Sequence, residues 1–265
     1  MWLLRVQSLY LVDDLAHECQ WLSSRYALQS IQTFFFYTYL KCPQCDSTNT
    51  LRREVDSLRT VLSLIETEDS WDSIANAITQ LNHLCRNGAC DFPAELVVSI
   101  RTFSRPLNSA MCSERSRLSG AAINLLCTLA SGLGTELEPL LPLFFPALLN
   151  LCTRTNKVLI TRARACILAH IENTQLPAIL PYLSEASKDK SISLRITVAE
   201  GVLACLNCFN PPDLEKEVRA RLIEDVIRTT ARDASADVRK VSRKVFEAYK
   251  VLLPGRVEKC VDPFC

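Results

Sequence analysis

The stretch Leu118-Ser119-Gly120-Ala121-Ala122-Ile123-Asn124-Leu125-Leu126-Cys127-Thr128-Leu129 decides the fold. Its apolar residues Leu118, Ala122, Leu125, Leu126 and Leu129 fall at i, i+4, i+7, i+8 and i+11, the spacing that lines one face of an α-helix. The template returns as Leu159, Ala163, Cys166, Ile167, His170, then as Arg195, Ala199, Val202, Leu203, Leu206, where only the first position is polar. A fourth copy is Val241, Val245, Ala248, Tyr249, Leu252, and a looser one lies upstream at Ile74, Ile78, Leu81, Cys85. First positions are 41, 36 and 46 residues apart. This interval marks HEAT-type helical hairpins, each of which hides its apolar face only by stacking on its neighbours.

The residues before each copy support the same reading. Segments 92–103, 137–152, 175–186 and 213–231 are apolar at helical spacing, and each is joined to the next templated helix by a polar turn. They are introduced by Phe92-Pro93, Glu138-Pro139, Leu176-Pro177 and Pro211-Pro212-Asp213. Proline suits a first helical turn, where its missing N–H has no partner to lose. Alternating β-branched runs are few and there are only 6 glycines, so strands are not expected. The sequence predicts an all-α protein, an α-solenoid of HEAT-like hairpins running as one body over residues 51–265.

Composition bounds the work such a body can do. The formal charge of +1 and the 48% hydrophobic content exclude a polybasic nucleic-acid binder and a disordered tail. Of 13 cysteines, those at Cys127, Cys152, Cys166 and Cys205 fall on or beside apolar faces, where a free thiol acts as a small hydrophobe. Reduced core thiols in the cytosol or nucleus are expected rather than a disulfide framework. In the amino-terminal part, the longest apolar run, residues 34–40, is too short to span a bilayer. The opening Met1-Trp2-Leu3-Leu4-Arg5 resembles a signal peptide only superficially, being broken by Gln7 and Ser8 and ended by Asp13-Asp14.

Residues 1–50 are aromatic-rich and carry no copy of the template, which reads as an irregular or poorly packed extension. They include Cys42-Pro43-Gln44-Cys45, half of a zinc knuckle. No second pair follows at suitable spacing, and His17 and Cys19 would have to fold back to complete four ligands. Two surface thiols in an irregular segment are expected, with no metal.

Sorting the turns by edge separates charge. Turns inside a hairpin fall on one rim of a solenoid, and turns between hairpins on the other. Four within-hairpin turns carry Arg115 and Arg117 against Glu114; Arg154, Lys157 and Arg162; Lys188, Lys190 and Arg195 against Asp189; and Arg232, Arg239 and Lys240 against Asp233 and Asp237. Their formal charge is +7. The between-hairpin turns carry −6, from Arg86 against Asp91 and Glu95, from Glu136, Glu138 and Glu172, and from Lys216 against Asp213, Glu215 and Glu217. Such polarity orients an acidic partner and speeds its encounter.

The first within-hairpin turn, Glu66-Thr67-Glu68-Asp69-Ser70-Trp71, is acidic and places Trp71 where a helix begins at Asp72. Trp71 reads either as an exposed interface anchor or as a staple folded on its own helix. Arg195 and Arg239 stand where inter-repeat ion pairs are common, and Asp237 is expected to cap a helix opening at Val238. Lys157, Lys188, Lys190 and Lys240 have no evident helical partner and are better contact candidates.

The first-turn run 66–71 with its amphipathic helix resembles the first turn of a TOG domain, and Asp233-Ala234-Ser235-Ala236-Asp237-Val238-Arg239-Lys240 resembles the fifth. The continuation 242–256, which ends Leu252-Leu253-Pro254-Gly255-Arg256, looks like the CLASP family of microtubule regulators, of fungal type. The resemblance covers about residues 53–265 and is strongest in the final fifty. It implies a paddle-shaped, monomeric domain whose within-hairpin turns contact αβ-tubulin and so microtubules, in the cytoplasm and cytoskeleton, with spindle or nucleus as further sites. Carried over by position, Trp71 is the hydrophobic anchor, and Arg117, Lys157, Lys188 or Lys190, Arg239 and Lys240 are electrostatic contacts. The sequence departs from the family in residues 1–50 and in a long, irregular second turn between Phe103 and Ser119. It also lacks the final helix pair the family pattern implies.

A general HEAT scaffold using its concave helical face is the alternative. A nucleic-acid role is disfavoured, because +7 offset by −6 attracts phosphate weakly and no reading motif is present. An enzyme is not expected, and neither is a cofactor. His17, His83 and His170 are scattered, His170 takes a core slot, Cys85 and Cys90 flank the Asn87-Gly88 turn without an acid–base pair, and no phosphate-binding glycine loop occurs.

Overall fold

The computed structural model describes residues 44–258. The expectations for His17, Cys19, Cys42 and the rest of the segment before residue 44 lie outside them. Helices follow one another as α1 (Thr48–Leu62), α2 (Trp71–Arg86), α3 (Pro93–Thr102), α4 (Ser104–Met111) and α5 (Ser116–Leu133). Next come α6 (Leu141–Leu151), α7 (Lys157–Thr174), α8 (Leu180–Ala186), α9 (Ile192–Cys208), the short α10 (Pro211–Leu214), α11 (Glu217–Ala231) and α12 (Ala236–Leu252). Among the described residues there are no strands.

The chain packs in two layers. The templated helices stack in sequence order, α2 on α5, α5 on α7, α7 on α9 and α9 on α12. The preceding helices α1, α3 with α4, α6, α8 and α11 form the second layer, each beside its neighbour and against its own hairpin partner. Between the layers lie the template positions: Leu118, Ala122, Leu125, Leu126 and Leu129, Ala163, Cys166 and Ile167, Ala199 and Val202, and Val245 and Tyr249 are all buried. Leu203, Val241, Ala248 and Leu252 are packed against this core but half-exposed. Phe145 of α6 fills the middle, with the rings of His170 and Tyr182 tilted against it at 6.2 and 5.9 Å.

Local chemistry sets the helix boundaries. The side chain of Asn156 accepts from the amides of Val158 and Leu159 at 3.0 and 3.2 Å, starting α7, and Ser47 accepts from Thr50 at 3.2 Å, starting α1. The second turn differs from the expectation. Most of the segment between Phe103 and Ser119 is helix α4, and the turn proper is only 112–115. Pro106 explains the break before α4. It has no N–H to offer the Thr102 carbonyl, so the ladder fails, Phe103 leaves helical geometry (φ −96°, ψ 8°), and the helix restarts with the Leu107 amide on the Phe103 carbonyl at 2.9 Å.

Two further expectations are corrected. Asp237 does not cap the last helix. Ser235 is the N-cap residue and Asp237 lies in the first turn, where its charge suits the positive end of the helix dipole. Cys45 is not a surface thiol: it is 4% exposed, and its amide donates to the Asn87 carbonyl at 2.8 Å. Gly88 makes that contact feasible, since it adopts φ +105° and a Cβ there would stand 2.7 Å from the Cys45 carbonyl oxygen.

One stretch, Ser116–Leu151, is apolar and long enough to cross a membrane by composition. Here it is broken after α5 by Gly134 and a 3-10 turn to Leu140 before α6, and 61% of its most apolar window is buried inside the protein. Its hydrophobicity is that of a core. The thiols behave likewise: Cys85, Cys152, Cys166 and Cys205 are buried and in no disulfide, and burial pushes the Cys152 thiol up to about 11.

Candidate functional site

Because each templated helix runs away from its within-hairpin turn and these helices stack consecutively, the five turns share one edge. Side chains join them directly. Arg115 of the second turn reaches Glu66 and Glu68 of the first, at 2.6 and 2.5 Å. Arg117 pairs with Asp72 and donates to the side-chain amide oxygen Oδ1 of Asn76 at 2.5 Å. Arg162 of α7 donates to the Ser116 carbonyl at 2.8 Å, and Arg195 of α9 pairs with Asp233 of the fifth turn at 2.5 Å. The rim is therefore continuous from the first turn to the third, and again from the fourth to the fifth.

Trp71 is the first residue of α2 rather than the one before it. The ring is half-buried against the core, and the guanidinium groups of Arg115 and Arg117 lie 5.8 and 6.0 Å from its centre. It joins both readings, packed on one side and open on the other, in a cationic frame that stabilises it by ~0.5–1 kcal/mol per contact. The turn beneath is tied by Ser70, whose hydroxyl donates to the Ile65 carbonyl at 2.7 Å while accepting from the Thr67 amide at 2.9 Å.

The fourth and fifth turns are built alike. In each, an aspartate accepts from the amide two residues on, Asp189 from Ser191 at 2.7 Å and Asp233 from Ser235 at 2.8 Å. An arginine four residues after that serine then closes over the turn. Arg195 donates to the carbonyls of Asp189 and Lys190 at 2.8 and 2.9 Å, and Arg239 to those of Asp233 and Ala234 at 2.6 and 2.8 Å. The pattern Asp-x-Ser-x-x-x-Arg is thus a turn lock. Arg195 adds a two-pronged contact to Asp233, which holds that carboxyl below the usual carboxylate range.

These contacts divide the candidate residues. Arg117 is ion-paired and Arg239 is engaged by turn carbonyls. Lys157, Lys188 and Lys190 are exposed, and among the described residues none has an acidic side chain in ion-pair range; Arg154 stands in the same position. Lys240 is exposed at the fifth turn. With Arg115 engaged by Glu66 and Glu68 and Arg117 by Asp72, the uncompensated positive charge is centred on the third and fourth turns.

Sequence reasoning missed the Glu66–Arg115 tie and the repeated turn lock, although the Asp-x-Ser-x-x-x-Arg repeat was available as a signal. It also missed why a glycine sits inside α5. A Cβ at Gly120 would stand 2.7 Å from Nη1 of Arg162, so the glycine makes room for the arginine that links two turns. Among the described residues no group of histidine, cysteine or acidic side chains could hold a metal ion.

The CLASP N terminal family model matches residues 51–264. The chain belongs to this family. Over 199 residues it is 27% identical to a CLIP-associated protein of Arabidopsis thaliana, an alignment covering 74% of this chain and 14% of that protein. The chain spans only this small share of the relative's length. In fold it is similar to a TOG domain of crescerin, a protein described as using a TOG domain array to regulate microtubules, at TM-score 0.57 and 16% identity over 79% of this chain and 83% of the other. A second solved chain, from work on TOG–tubulin binding specificity, superposes at TM-score 0.56 and 13% identity over 90% of this chain and 96% of that one. The CLASP N terminal domain here thus has the TOG-type, HEAT-like fold.

Proposed function

We propose that this CLASP-family domain binds αβ-tubulin through its within-hairpin rim and acts as a microtubule regulator, favouring stabilisation or rescue, in the cytoplasm and on the cytoskeleton. The observation that carries the reading is the rim itself. A half-open Trp71 in a frame of two arginines leads into turns that present Arg154, Lys157, Lys188 and Lys190 without acidic partners. A binding surface of this kind needs no cofactor and no turnover. Trp71 is the apolar anchor; Lys157, Lys188, Lys190 and Lys240 meet acidic surface. Arg117 and Arg239 stand beside them, one bracing Trp71 and the other holding the fifth turn in shape. Family membership and the likeness to TOG domains support the assignment of the partner.

The test is comigration with purified αβ-tubulin on size exclusion. The wild-type domain is expected to shift with tubulin, and a Lys157→Glu/Lys190→Glu variant to lose the shift while keeping its helical circular dichroism. Both lysines are exposed, so the charge reversals leave the core untouched. Unchanged comigration of the double variant would remove the rim from the mechanism.

A further inference from the structure

Charge does not account for the whole rim. Seven large hydrophobic side chains are exposed among the described residues, and four of them, Leu64, Ile65, Val158 and Ile192, lie on the within-hairpin turns or the first residues of the helices that follow. Single exposed aliphatics are ordinary on a protein surface; their concentration on one edge is not. Ile65 is 83% exposed at the first turn, and Val158 and Ile192 are 55% and 50% exposed at the third and fourth. Val158 directly follows Lys157, and Ile192 lies two residues after Lys190. The corresponding starts of α5 and α12 carry Ser116-Arg117 and Ala236-Asp237 instead. Two of the four, Val158 and Ile192, thus stand at the turns that hold the unpaired lysines, and the other two, Leu64 and Ile65, stand at the first turn near Trp71.

Resting on the reading proposed above, we infer that Val158 and Ile192 form an apolar contact pair at the centre of the rim, and that the partner surface joined there is an acidic polypeptide segment carrying apolar side chains beside its carboxylates. Three observations converge on that chemistry. Lys157, Lys188 and Lys190 supply unpaired positive charge. The amino-terminal ends of the packed helices α7 and α9 add their positive dipole ends at the same place. Val158 and Ile192 offer aliphatic surface that gains from being covered by carbon and gains nothing from a phosphate backbone. Neither side chain holds the fold together, because each is the exposed residue at the mouth of a helix whose cap is made by a neighbour, Asn156 or Ser191.

The experiment compares wild type, Val158→Ser/Ile192→Ser and Lys157→Glu/Lys190→Glu for αβ-tubulin affinity across a salt series. The serine double variant is expected to bind about tenfold more weakly or worse at every salt concentration, with the slope of affinity against salt unchanged. The lysine variant is expected to lose affinity and flatten that slope. Wild-type affinity in the serine variant, with the lysine variant impaired, overturns the apolar pair and leaves the tubulin reading standing. Absence of wild-type binding overturns both. Sedimentation of each protein alone completes the test. If the wild type self-associates and the serine variant does not, the occupant is a second copy of the chain presenting its acidic edge, and the inference fails.

Discussion

At the scale of single residues, His170 shows how burial converts a titratable group into packing. It occupies a template slot, lies 2% exposed beside Phe145, and has a single backbone acceptor, the Cys166 carbonyl at 2.8 Å, which requires the proton on Nδ1. Desolvation lowers its pKa from 6.5 to about 4. Between those values the unfolded chain binds the proton and the folded chain does not, so stability rises with pH across that window. Acidification from about pH 6.5 to about pH 4 is expected to cost up to about 3 kcal/mol from this residue. Urea unfolding measured along the pH series checks it: His170→Gln should lose most of the slope in that window. Asp233 acts in the same direction at lower pH, because protonating a carboxylate held down by Arg195 releases the link between the fourth and fifth turns.

At the scale of elements, the last hairpin depends on a lock beyond its own helices. Glu224 of α11 is 3% exposed and accepts from the Tyr249 hydroxyl at 2.7 Å and from Nε of Arg256 at 2.9 Å. Arg256 also pairs with Glu217 at 2.6 Å, so the turn after α12 is clamped back onto α11. Removing one member of a buried pair leaves the other charge without compensation. Arg256→Ala is expected to destabilise the hairpin by ~3 kcal/mol, with faster amide exchange across α11 and α12 and little change in α5. Uniform acceleration in all helices would mean that the repeats unfold as one cooperative body. The sequence singled out 242–256 by resemblance alone; the physical reason that its final arginine matters is a carboxylate 32 residues earlier.

At the scale of the whole described body, the charge arrangement belongs to association rather than stability. The rim keeps its excess positive charge at the third and fourth turns, while the acids of the opposite edge are partly paired, Asp213 with Lys216 and Arg219 and Glu217 with Arg221. For the proposed tubulin complex, raising the salt from about 50 to 200 mM should slow association several-fold and change dissociation far less, because exposed charges separated by more than a Debye length are screened. Stopped-flow mixing reads the two rates separately. A salt effect confined to dissociation would place the charges in close contact rather than in steering.

Periodicity alone determined that this chain is a stack of helical hairpins, since apolar residues at helical spacing can leave water only by stacking on the next repeat. From that stack followed which turns share an edge. What the tertiary structure decided is which cations on the edge stand uncompensated. Along the chain Arg115 and Arg117 look no different from Lys157 or Lys190, and Arg195 and Arg239 differ only in standing where ion pairs between repeats are common, yet all four are held by acids and carbonyls as much as 49 residues away. The same holds for Gly120, Cys45 and the restart of the chain at Ser104. Helical pattern is a local property, written within a dozen residues, whereas pairing and burial depend on which distant turns the stacking brings to within 3 Å.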